Sequence, residues 1–356
     1  MFIIKDIHTS IENIPLKTPF STALRRVEAV EFIRVMLSCE NGSYAYGEAP
    51  ATKAITGEDL CSIQNAVTNL KDKLIGLQLH EALSALHVTQ IGSSAKAALD
   101  MAIVTCMAEQ KGQTLLEYFG TNDLSSLKTD VTISLNSIET MFEDAQKAIE
   151  NGFDILKVKL GENIQHAVAV TRLFSYKLPQ ATLLIDANQA WDLEKSLEYI
   201  RRIKGLDVAL IEQPVAADDL ESLKIVSQST SIAILADEAV FTLSDVKKVH
   251  QNGYADMINI KLMKCGGLSK AQEILQYARE QKIECMFGSM LEGPVSIAAG
   301  YALCFAYRDV VRFIDLDSPL LYKDIPDSLG GFAINRNQIK PINPASTEAS
   351  SIPIFA

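Results

Sequence analysis

After about residue 126, short apolar runs rich in Ile, Leu and Val alternate with longer amphipathic stretches. The runs span 131–135, 155–160, 182–186, 208–212, 232–237, 257–261, 284–288 and 310–315. Between them, apolar residues recur every three or four positions, for example over 167–178, 193–203 and 270–279. This period indicates helices. Strands that alternate with helices pair in parallel, and eight such units predict a (β/α)8 (TIM) barrel.

An open, doubly wound α/β sheet is the alternative arrangement for this pattern. Such sheets usually have fewer strands, and they carry a glycine-rich nucleotide-binding loop after the first strand. No G-x-G-x-x-G follows any of the apolar runs. The pattern therefore favours the barrel.

The segments on either side of the alternating region read differently. Stretches 1–15 and 30–48 are strand-like and contain an Asn41-Gly42 turn signal, whereas 58–119 is helical in pattern. Residues 1–125 thus predict an α+β capping domain ahead of a barrel over 126–320. The tail, 321–356, contains Gly330-Gly331 and is not another βα unit. We expect it to pack back on the capping domain and complete it.

Composition narrows the class of protein. The chain has 356 residues, 48% of them hydrophobic, and a formal charge of −11, which disfavours nucleic acid as a partner. No apolar run reaches the roughly 18 residues of a membrane span, and the N-terminus lacks a signal-peptide pattern. The sequence predicts a cytoplasmic protein that acts on a small molecule without a nucleic-acid or membrane partner. The sequence is compatible with both a monomer and a homo-oligomer.

The cysteine and histidine pattern argues against two further kinds of site. The six cysteines are scattered and form no C-x-x-C pair, so we expect reduced thiols rather than a disulfide framework. The five histidines have no ligand spacing with them or with each other. A zinc site is therefore not expected.

Charged residues interrupt the apolar runs at one recurring position. They lie 24 to 27 residues apart, one βα unit each: Lys159, Asp186, Glu212, Asp237 and Lys261. A charge at the same phase of successive units must lie on one rim of a barrel. Because it follows the carboxyl end of each strand, this rim is the face on which barrel active sites form.

Three of these residues are acids on consecutive strands. A single acid after a strand is about as often a helix N-cap, but three together would repel one another and raise each other's pKa unless a cation compensates. An all-oxygen set without His or Cys suits Mg²⁺, with Mn²⁺ as an alternative. We predict that Asp186, Glu212 and Asp237 are metal ligands.

The lysines predict acid–base chemistry. Lys157 and Lys159 are separated by one residue and share a face of their strand, in a run too apolar for a solvated strand. Lys261 falls on the opposite side of an eight-strand ring, so that two ammonium groups face each other across the metal. Nearby cations and partial desolvation should lower a lysine's pKa toward that of a working base. We expect Lys264, one turn beyond, to be a solvated loop lysine.

Taken together, the motifs K-x-K, D-x-N, E-Q-P, D-E and a lysine before C-G-G resemble the muconate-lactonizing subgroup of the enolase superfamily over the whole chain. A lysine or histidine base that works beside Mg²⁺ is typical of this superfamily, and the same residues fit that pattern. The resemblance implies that the metal holds a substrate carboxylate and that Lys159 and Lys261 act on opposite faces of its α-carbon through an enediolate. Lys157 would support the carboxylate or the neighbouring base.

Residues after the last strand point to one branch of the subgroup. Asp315 and Asp317 resemble the D-x-D of dipeptide epimerases, where the pair suits the α-ammonium of a dipeptide. Arg25, in a lid-like segment, matches the arginine that pairs with the substrate's side-chain carboxylate in Ala-Glu epimerases. Adjacent Arg26 leaves a merely solvated loop as an alternative. Ser289 lies in the loop after the seventh strand, which borders the pocket.

The resemblance implies an isomerase that epimerises a dipeptide, L-Ala-D/L-Glu in the first instance, by Mg²⁺-assisted 1,1-proton transfer. Another reaction of the subgroup is the alternative: an o-succinylbenzoate synthase-type lyase, a cycloisomerase or an N-acylamino-acid racemase. A non-catalytic binding barrel is a remote third possibility, because the lysines and acids of the rim are all present.

Overall fold

A computed structural model describes residues 2–21, 26–324 and 329–342. The chain begins with an antiparallel sheet in the order β1-β2-β3, formed by β1 (Ile4–Ser21), β2 (Arg26–Cys39) and β3 (Tyr44–Pro50). The strands are longer than the strand-like stretches of the sequence. The Asn41-Gly42 turn is confirmed: the Gly42 N–H donates to the Cys39 carbonyl at 3.1 Å, and Gly42 has φ 92°.

The helical pattern of residues 58–119 is also confirmed. It forms α2 (Leu60–Leu74), α3 (Leu79–Val88), α4 (Ser93–Gln110) and α5 (Leu115–Tyr118), preceded by α1 (Lys53–Thr56). Helix α4 is buried along most of its length because it packs between the N-terminal sheet and the barrel.

The predicted barrel is present. Its strands are β5 (Val131–Ile133), β6 (Ile155–Lys159), β7 (Thr182–Asp186), β8 (Leu210–Glu212), β9 (Ala233–Ala236), β10 (Met257–Ile260), β11 (Cys285–Gly288) and β12 (Val311–Asp315). They pair in parallel in chain order. The ring closes where the Asp130 N–H donates to the Ile314 carbonyl at 2.9 Å, which rules out an open doubly wound sheet.

Helices cover the outside of the barrel. They are α6 (Ile138–Glu150), α7 (Ile164–Lys177), α8 (Leu193–Arg202), α9 (Leu220–Gln228), α10 (Leu243–Asn252), α12 (Leu268–Gln281) and α13 (Pro294–Ala306). Two short helices lie at the barrel mouth instead: α11 (Leu262–Cys265) and α14 (Ser318–Leu321). Several of the outer helices begin at a side-chain cap, such as Ser137, Asn163 and Asp192. Such caps satisfy amides that the first helical turn leaves free.

The barrel interior is layered. Six side chains on six consecutive strands, β7 to β12, form one apolar cluster: Leu184, Leu210, Leu235, Met257, Met286 and Phe313. Side chains two residues further along a strand point the same way. That rule places a polar layer directly above the apolar one, formed by Asp186, Glu212, Asp237, Asn259 and Asp315.

Glu48 on β3 joins the N-terminal sheet to the barrel. Its carboxylate accepts hydrogen bonds from the N–H groups of Val295 at 2.9 Å and Ser296 at 3.3 Å, at the start of α13. That helix has no side-chain cap of its own. Arg34 binds the same carboxylate from β2, at 2.7 and 2.9 Å. The N-terminal sheet thus caps a barrel helix.

The described part of the tail contacts both regions. Strands β13 (Phe332–Asn335) and β14 (Gln338–Pro341) form a small sheet with β4 (Leu127–Lys128). Tyr322 pairs with Leu16 of β1. The division into 1–125, 126–320 and 321–356 stays a prediction.

The apolar stretch 295–307 forms a helix buried in the protein. It lies in α13, whose side chains are buried from Ser296 to Phe305. Among the residues that the structure describes, no helix combines the length and the apolar character that a bilayer crossing requires.

Close approach of β3 to α4 makes Gly47 sensitive to any side chain. A Cβ there would overlap the main-chain carbonyl of Ala98, and neither backbone can move alone. We expect Gly47→Ala to lower the free energy of unfolding by about 3 kcal/mol, at the upper end for overpacking, in urea denaturation.

Gly161→Ala is the matched control. Its Cβ would lie 3.1 Å from the end of the Leu135 side chain, which can rotate away. We expect a loss of less than about 1 kcal/mol. Equal losses for the two variants would contradict the packing argument.

Candidate active site

The carboxyl ends of the barrel strands form the wall of a pocket. The charged residues lining it are Lys159, Asp237, Glu238, Lys261, Asp315 and Asp317. The N-terminal region contributes Phe20, Thr52, Ala54 and Ile55. The pocket therefore lies between the barrel mouth and the segments that cover it, where the sequence pattern placed the chemistry.

Lys157 lies deepest. It is 1% exposed, and its ammonium group contacts carboxylate oxygens of Asp315 at 2.6 Å, Glu212 at 2.7 Å and Asp186 at 3.2 Å. Burial alone would lower the pKa of Lys157, but these carboxylates outweigh it and raise that pKa well above the usual value. Lys157 is therefore a fixed cation and is poorly suited to act as a base.

Lys159 lies one layer nearer the pocket, level with Asp186 in the strand register. Its Nζ is 2.6 Å from Oδ2 of that aspartate. The two lysines of K-x-K thus point into the barrel as predicted, but at different depths. The lysine that lines the pocket is Lys159.

Lys261 mirrors this arrangement from β10, four strands away in the eight-stranded sheet. Its Nζ is 2.6 Å from Oδ2 of Asp237. The expected lowering of its pKa is not found. Burial lowers it, but the neighbouring Asp237 carboxylate outweighs burial and raises the pKa of Lys261.

The expectation for Lys264 was wrong. Its side chain is 2% exposed rather than solvated. Its ammonium group donates to Asp237 through both Oδ1, at 2.5 Å, and the main-chain carbonyl, at 2.6 Å, and to the Asn259 carbonyl at 2.9 Å. The short α11 turns the chain back over the barrel mouth, which the sequence spacing did not reveal.

Asp186 and Glu212 end the adjacent strands β7 and β8 and are direct register partners, and Asp237 follows β9. Burial, followed by repulsion from Asp186 and Asp237, raises the pKa of Glu212 to about 8 despite the attraction of Lys157. For Asp186, the ammonium groups of Lys159 and Lys157 outweigh burial and lower the pKa to about 2. Glu212 shares its Lys157 contact with Asp186 and Asp315, so its charge is balanced least.

This donor set fits a hard divalent cation. Its atoms are carboxylate oxygens at the ends of three neighbouring strands, and the unfavourable charge on Glu212 is the kind that a cation relieves. Asp186, Glu212 and Asp237 would hold such an ion. In the structure these three acids contact the ammonium groups of four lysines, at the distances given above: Lys157, Lys159, Lys261 and Lys264.

Within the described residues, a different trio lies closer together. Carboxylate oxygens of Asp130, Asp315 and Asp317 are within 4.8 Å of one another. Oδ2 of Asp317 accepts the Thr132 N–H at 2.8 Å. Burial and the charge of Asp315 raise the pKa of Asp317 to about 6. The D-x-D pair is thus part of a larger acidic cluster at the pocket wall.

Two predicted residues remain. One lies in the pocket, and the other lies outside the residues that the structure describes. Ser289 lines the pocket, and its N–H donates to the Asp315 carbonyl at 3.0 Å. Arg25 falls within residues 22–25, which lie outside the described residues. Its role stays a prediction.

Three polar residues of the site were missed. Asn259 donates to Oε1 of Glu212 at 2.7 Å. It lies two residues after Met257 of the apolar layer, as the acids do on other strands, and this spacing could have indicated its place in the site. The side chain of Gln213, in the E-Q-P motif, accepts the Asp237 N–H at 2.9 Å, and Gln213 itself has a positive φ of 36°. Glu238, in D-E, lines the pocket, and burial raises its pKa to about 7.

The arrangement can serve proton transfer at a carbon held between two lysines. Each of these lysines is almost completely buried and reaches the pocket. Each also lies beside a carboxylate that balances its positive charge. Acidic residues on a third side of the pocket suit a cationic group. The site thus combines two potential bases, a potential cation site and a receptor for positive charge.

Comparisons with known proteins agree with this architecture. Residues 140–332 match the family described as enolase C-terminal domain-like. The L-amino acid-D/L-Glu epimerase of Sulfurimonas denitrificans is 52% identical over 340 residues, which cover 95% of this chain and 99% of that protein.

Two of the solved structures that resemble this chain over nearly its full length are informative. A substrate-liganded complex of the L-Ala-D/L-Glu epimerase from Bacillus subtilis has a TM-score of 0.91 at 37% identity and covers 96% of each chain. The dipeptide epimerase from Enterococcus faecalis, complexed with Mg and the dipeptide L-Leu-L-Tyr, has a TM-score of 0.90 at 30% identity, over 98% of this chain and 99% of that one. The chain is therefore an isomerase that belongs to the enolase superfamily, within its dipeptide epimerases.

Proposed function

We propose that the protein epimerises dipeptides that end in glutamate, L-Ala-D/L-Glu among them, by 1,1-proton transfer at the carbon next to the C-terminal carboxylate. The observation that carries the proposal is the placement of Lys159 and Lys261. They lie four strands apart around the barrel, and both reach the same pocket. The epimerase of S. denitrificans, which shares half of its residues with this chain, supports glutamate as the second residue.

In this proposal the two lysines act on opposite faces of the α-carbon. One, as the free amine, takes the α-proton, and the other, as the ammonium, returns a proton to the opposite face. An enediolate lies between the two steps, and the roles exchange for the reverse reaction. Lys157 cannot act as the base in either direction, because three carboxylates hold its proton. Its fixed charge is suited to steadying the neighbouring acids.

Mg²⁺ bound by Asp186, Glu212 and Asp237 would supply positive charge to stabilise the oxyanion that develops on the substrate carboxylate. Two residues hold Asp237 in place: Lys264 donates to its carboxylate, and the Gln213 side chain accepts its N–H. Such outer partners orient a ligand before the ion arrives. Mn²⁺ is an alternative occupant.

The other end of the substrate would lie against Asp315 and Asp317. Two carboxylates at the pocket wall suit the α-ammonium of a dipeptide, since charged hydrogen bonds of this kind are strong. Arg25 would bind the glutamate side chain. A lyase or cycloisomerase of the same subgroup has no need of the two aspartates, which separates the hypotheses experimentally.

The base assignment predicts the result of replacing each lysine. We expect Lys159→Met and Lys261→Met to lower the rate of L-Ala-L-Glu epimerisation by about three orders of magnitude, as for loss of a general acid–base group. One of the two variants should still exchange the α-proton of one epimer with deuterium, read by NMR in D₂O.

Lys248→Met is the control, because this lysine is exposed on α10, away from the barrel mouth. Its kinetics should match the wild type. Full epimerase turnover in both Lys159→Met and Lys261→Met would refute the two-base assignment.

The metal assignment predicts a chelation effect. Treatment with EDTA followed by dialysis should abolish epimerisation, and added Mg²⁺ should restore it. Asp186→Asn should raise the Mg²⁺ concentration for half-maximal activity by more than about tenfold, since loss of an outer partner alone costs that much. Calorimetric titration of the variant with Mg²⁺ should show the same shift.

Asp218→Asn is the matched control: the residue is exposed in the loop after β8, and its substitution should change neither value. Activity that survives complete removal of divalent ions would contradict the assignment.

The ammonium assignment predicts a KM effect. Asp317→Asn keeps an oxygen for the Thr132 N–H but loses the charge, so KM for L-Ala-L-Glu should rise by about tenfold, in line with one charged hydrogen bond. The change in kcat should be smaller. Unchanged dipeptide kinetics would count against dipeptide specificity and favour the lyase hypothesis.

A further inference from the structure

Asp130 is a buried carboxyl group that accepts no hydrogen bond within the described part of the chain. It directly precedes β5, its side chain is 0% exposed, and neither of its oxygens accepts a hydrogen bond from any residue in the described ranges. Its backbone is fixed, because the Asp130 N–H donates to the Ile314 carbonyl at 2.9 Å. Burying a polar group without a partner is unfavourable. The group therefore calls for a compensating ligand.

Its surroundings show where such a ligand would lie. The Asp130 carboxyl approaches those of Asp315 and Asp317, with oxygens of all three within 4.8 Å of one another. The latter two line the pocket, whereas Asp130 lies behind them and is not part of the described pocket wall. Any effect of Asp130 on a ligand in the pocket must therefore act through this pair, by its charge.

The protein supplies little positive charge to this trio. Lys157 is 2.6 Å from Asp315, but it also contacts Glu212 and Asp186. Without a cation beside the pair, burial and the charges of Asp315 and Asp317 raise the pKa of Asp130 well above its usual value, although Lys157 opposes this, and so favour its uncharged form. An external cation beside the pair would relieve the repulsion, lower the pKa of Asp130 and so favour its charged form.

A primary ammonium suits the place better than a metal ion. Oδ2 of Asp315 already contacts the Lys157 ammonium, and Oδ2 of Asp317 accepts the Thr132 N–H. A divalent ion would have to sit against Lys157, whereas an ammonium has one charge and three N–H donors that can reach the free oxygens.

We propose that Asp130 is a specificity-determining positioning residue that, from behind Asp315 and Asp317, deepens the negative potential receiving the α-ammonium of the substrate. The inference rests on the proposed epimerisation of dipeptides at this site. It adds a selection rule: a free amino group is favoured over an N-acylated one, because only the former brings the positive charge that the three carboxyl groups lack.

The test compares L-Ala-L-Glu with N-acetyl-L-Ala-L-Glu in the full-length protein with Mg²⁺. Exchange of the glutamate α-proton is followed by mass gain in D₂O, and kcat/KM is measured for each compound. If the acetylated compound turns over too slowly, its constant for competitive inhibition replaces kcat/KM. Asp130→Asn keeps the size of the side chain but cannot take on the negative charge that a bound ammonium favours. Asp130→Ser serves as a second neutral variant if the first does not fold.

We expect the neutral variants to lose about tenfold or more in kcat/KM for the free dipeptide, as one charge acting over a few ångströms in a protein would give. The value for the acetylated compound should change by less than about twofold, which is well below one charged contact. Selectivity for the free amino group would fall accordingly. Asp154→Asn is the matched control, since Asp154 directly precedes β6 as Asp130 precedes β5, but it pairs with Lys128 at a half-exposed site. It should retain the wild-type selectivity.

Two results would overturn the inference while the proposed function stands. An equal loss on both compounds would show that Asp130 acts only on the structure of the site. Unchanged kinetics on both would show that its carboxyl group does not influence the ligand. Absence of exchange by the wild-type protein with dipeptides of any kind would instead remove the proposed function, and this inference with it.

Discussion

The contacts of one buried ammonium group hold the barrel mouth together. Lys157 bonds to acids on β7, β8 and β12, so a single cation links strands from different parts of the ring. In an interior of low polarity, a carboxylate that lost this partner would cost several kcal/mol. The placement of the neighbouring acids, and with them of the two lysines that reach the pocket, depends on this interaction.

The apolar layer beneath makes such a concentration of charge possible. Leu184, Leu210 and Phe313 belong to the cluster that fills the barrel below the acids, so water does not reach the charged layer from that side. From above, Phe20 and Ile55 restrict the pocket. Charges held in fixed positions between two apolar layers interact strongly with a substrate and need little rearrangement during reaction. The fold therefore prepares the electrostatics before the substrate arrives.

Features that depend on the periodic spacing of residues along the chain were predictable from the sequence. Features that depend on contacts between strands across the barrel were not. Period-two strands and the 24- to 27-residue interval revealed the barrel and the rim that carries its charged residues. The pKa of Lys261 and the burial of Lys264 depend on Asp237, a residue of another strand, and spacing gives no distance between strands. Asp130 escaped notice for a related reason. It precedes a strand, and only the stagger of the closed ring brings it level with residues that end one.

The bond from Glu48 to the first amides of α13 has a consequence for how the two regions depend on each other. A barrel separated from the N-terminal sheet would lose the acceptor for those amides, and the loop that carries Ser289 leads directly into this helix. The covering region therefore stabilises the framework of the site as well as enclosing the substrate. Exchange of covering regions between relatives would succeed only where the incoming sheet brings an acid at the same place.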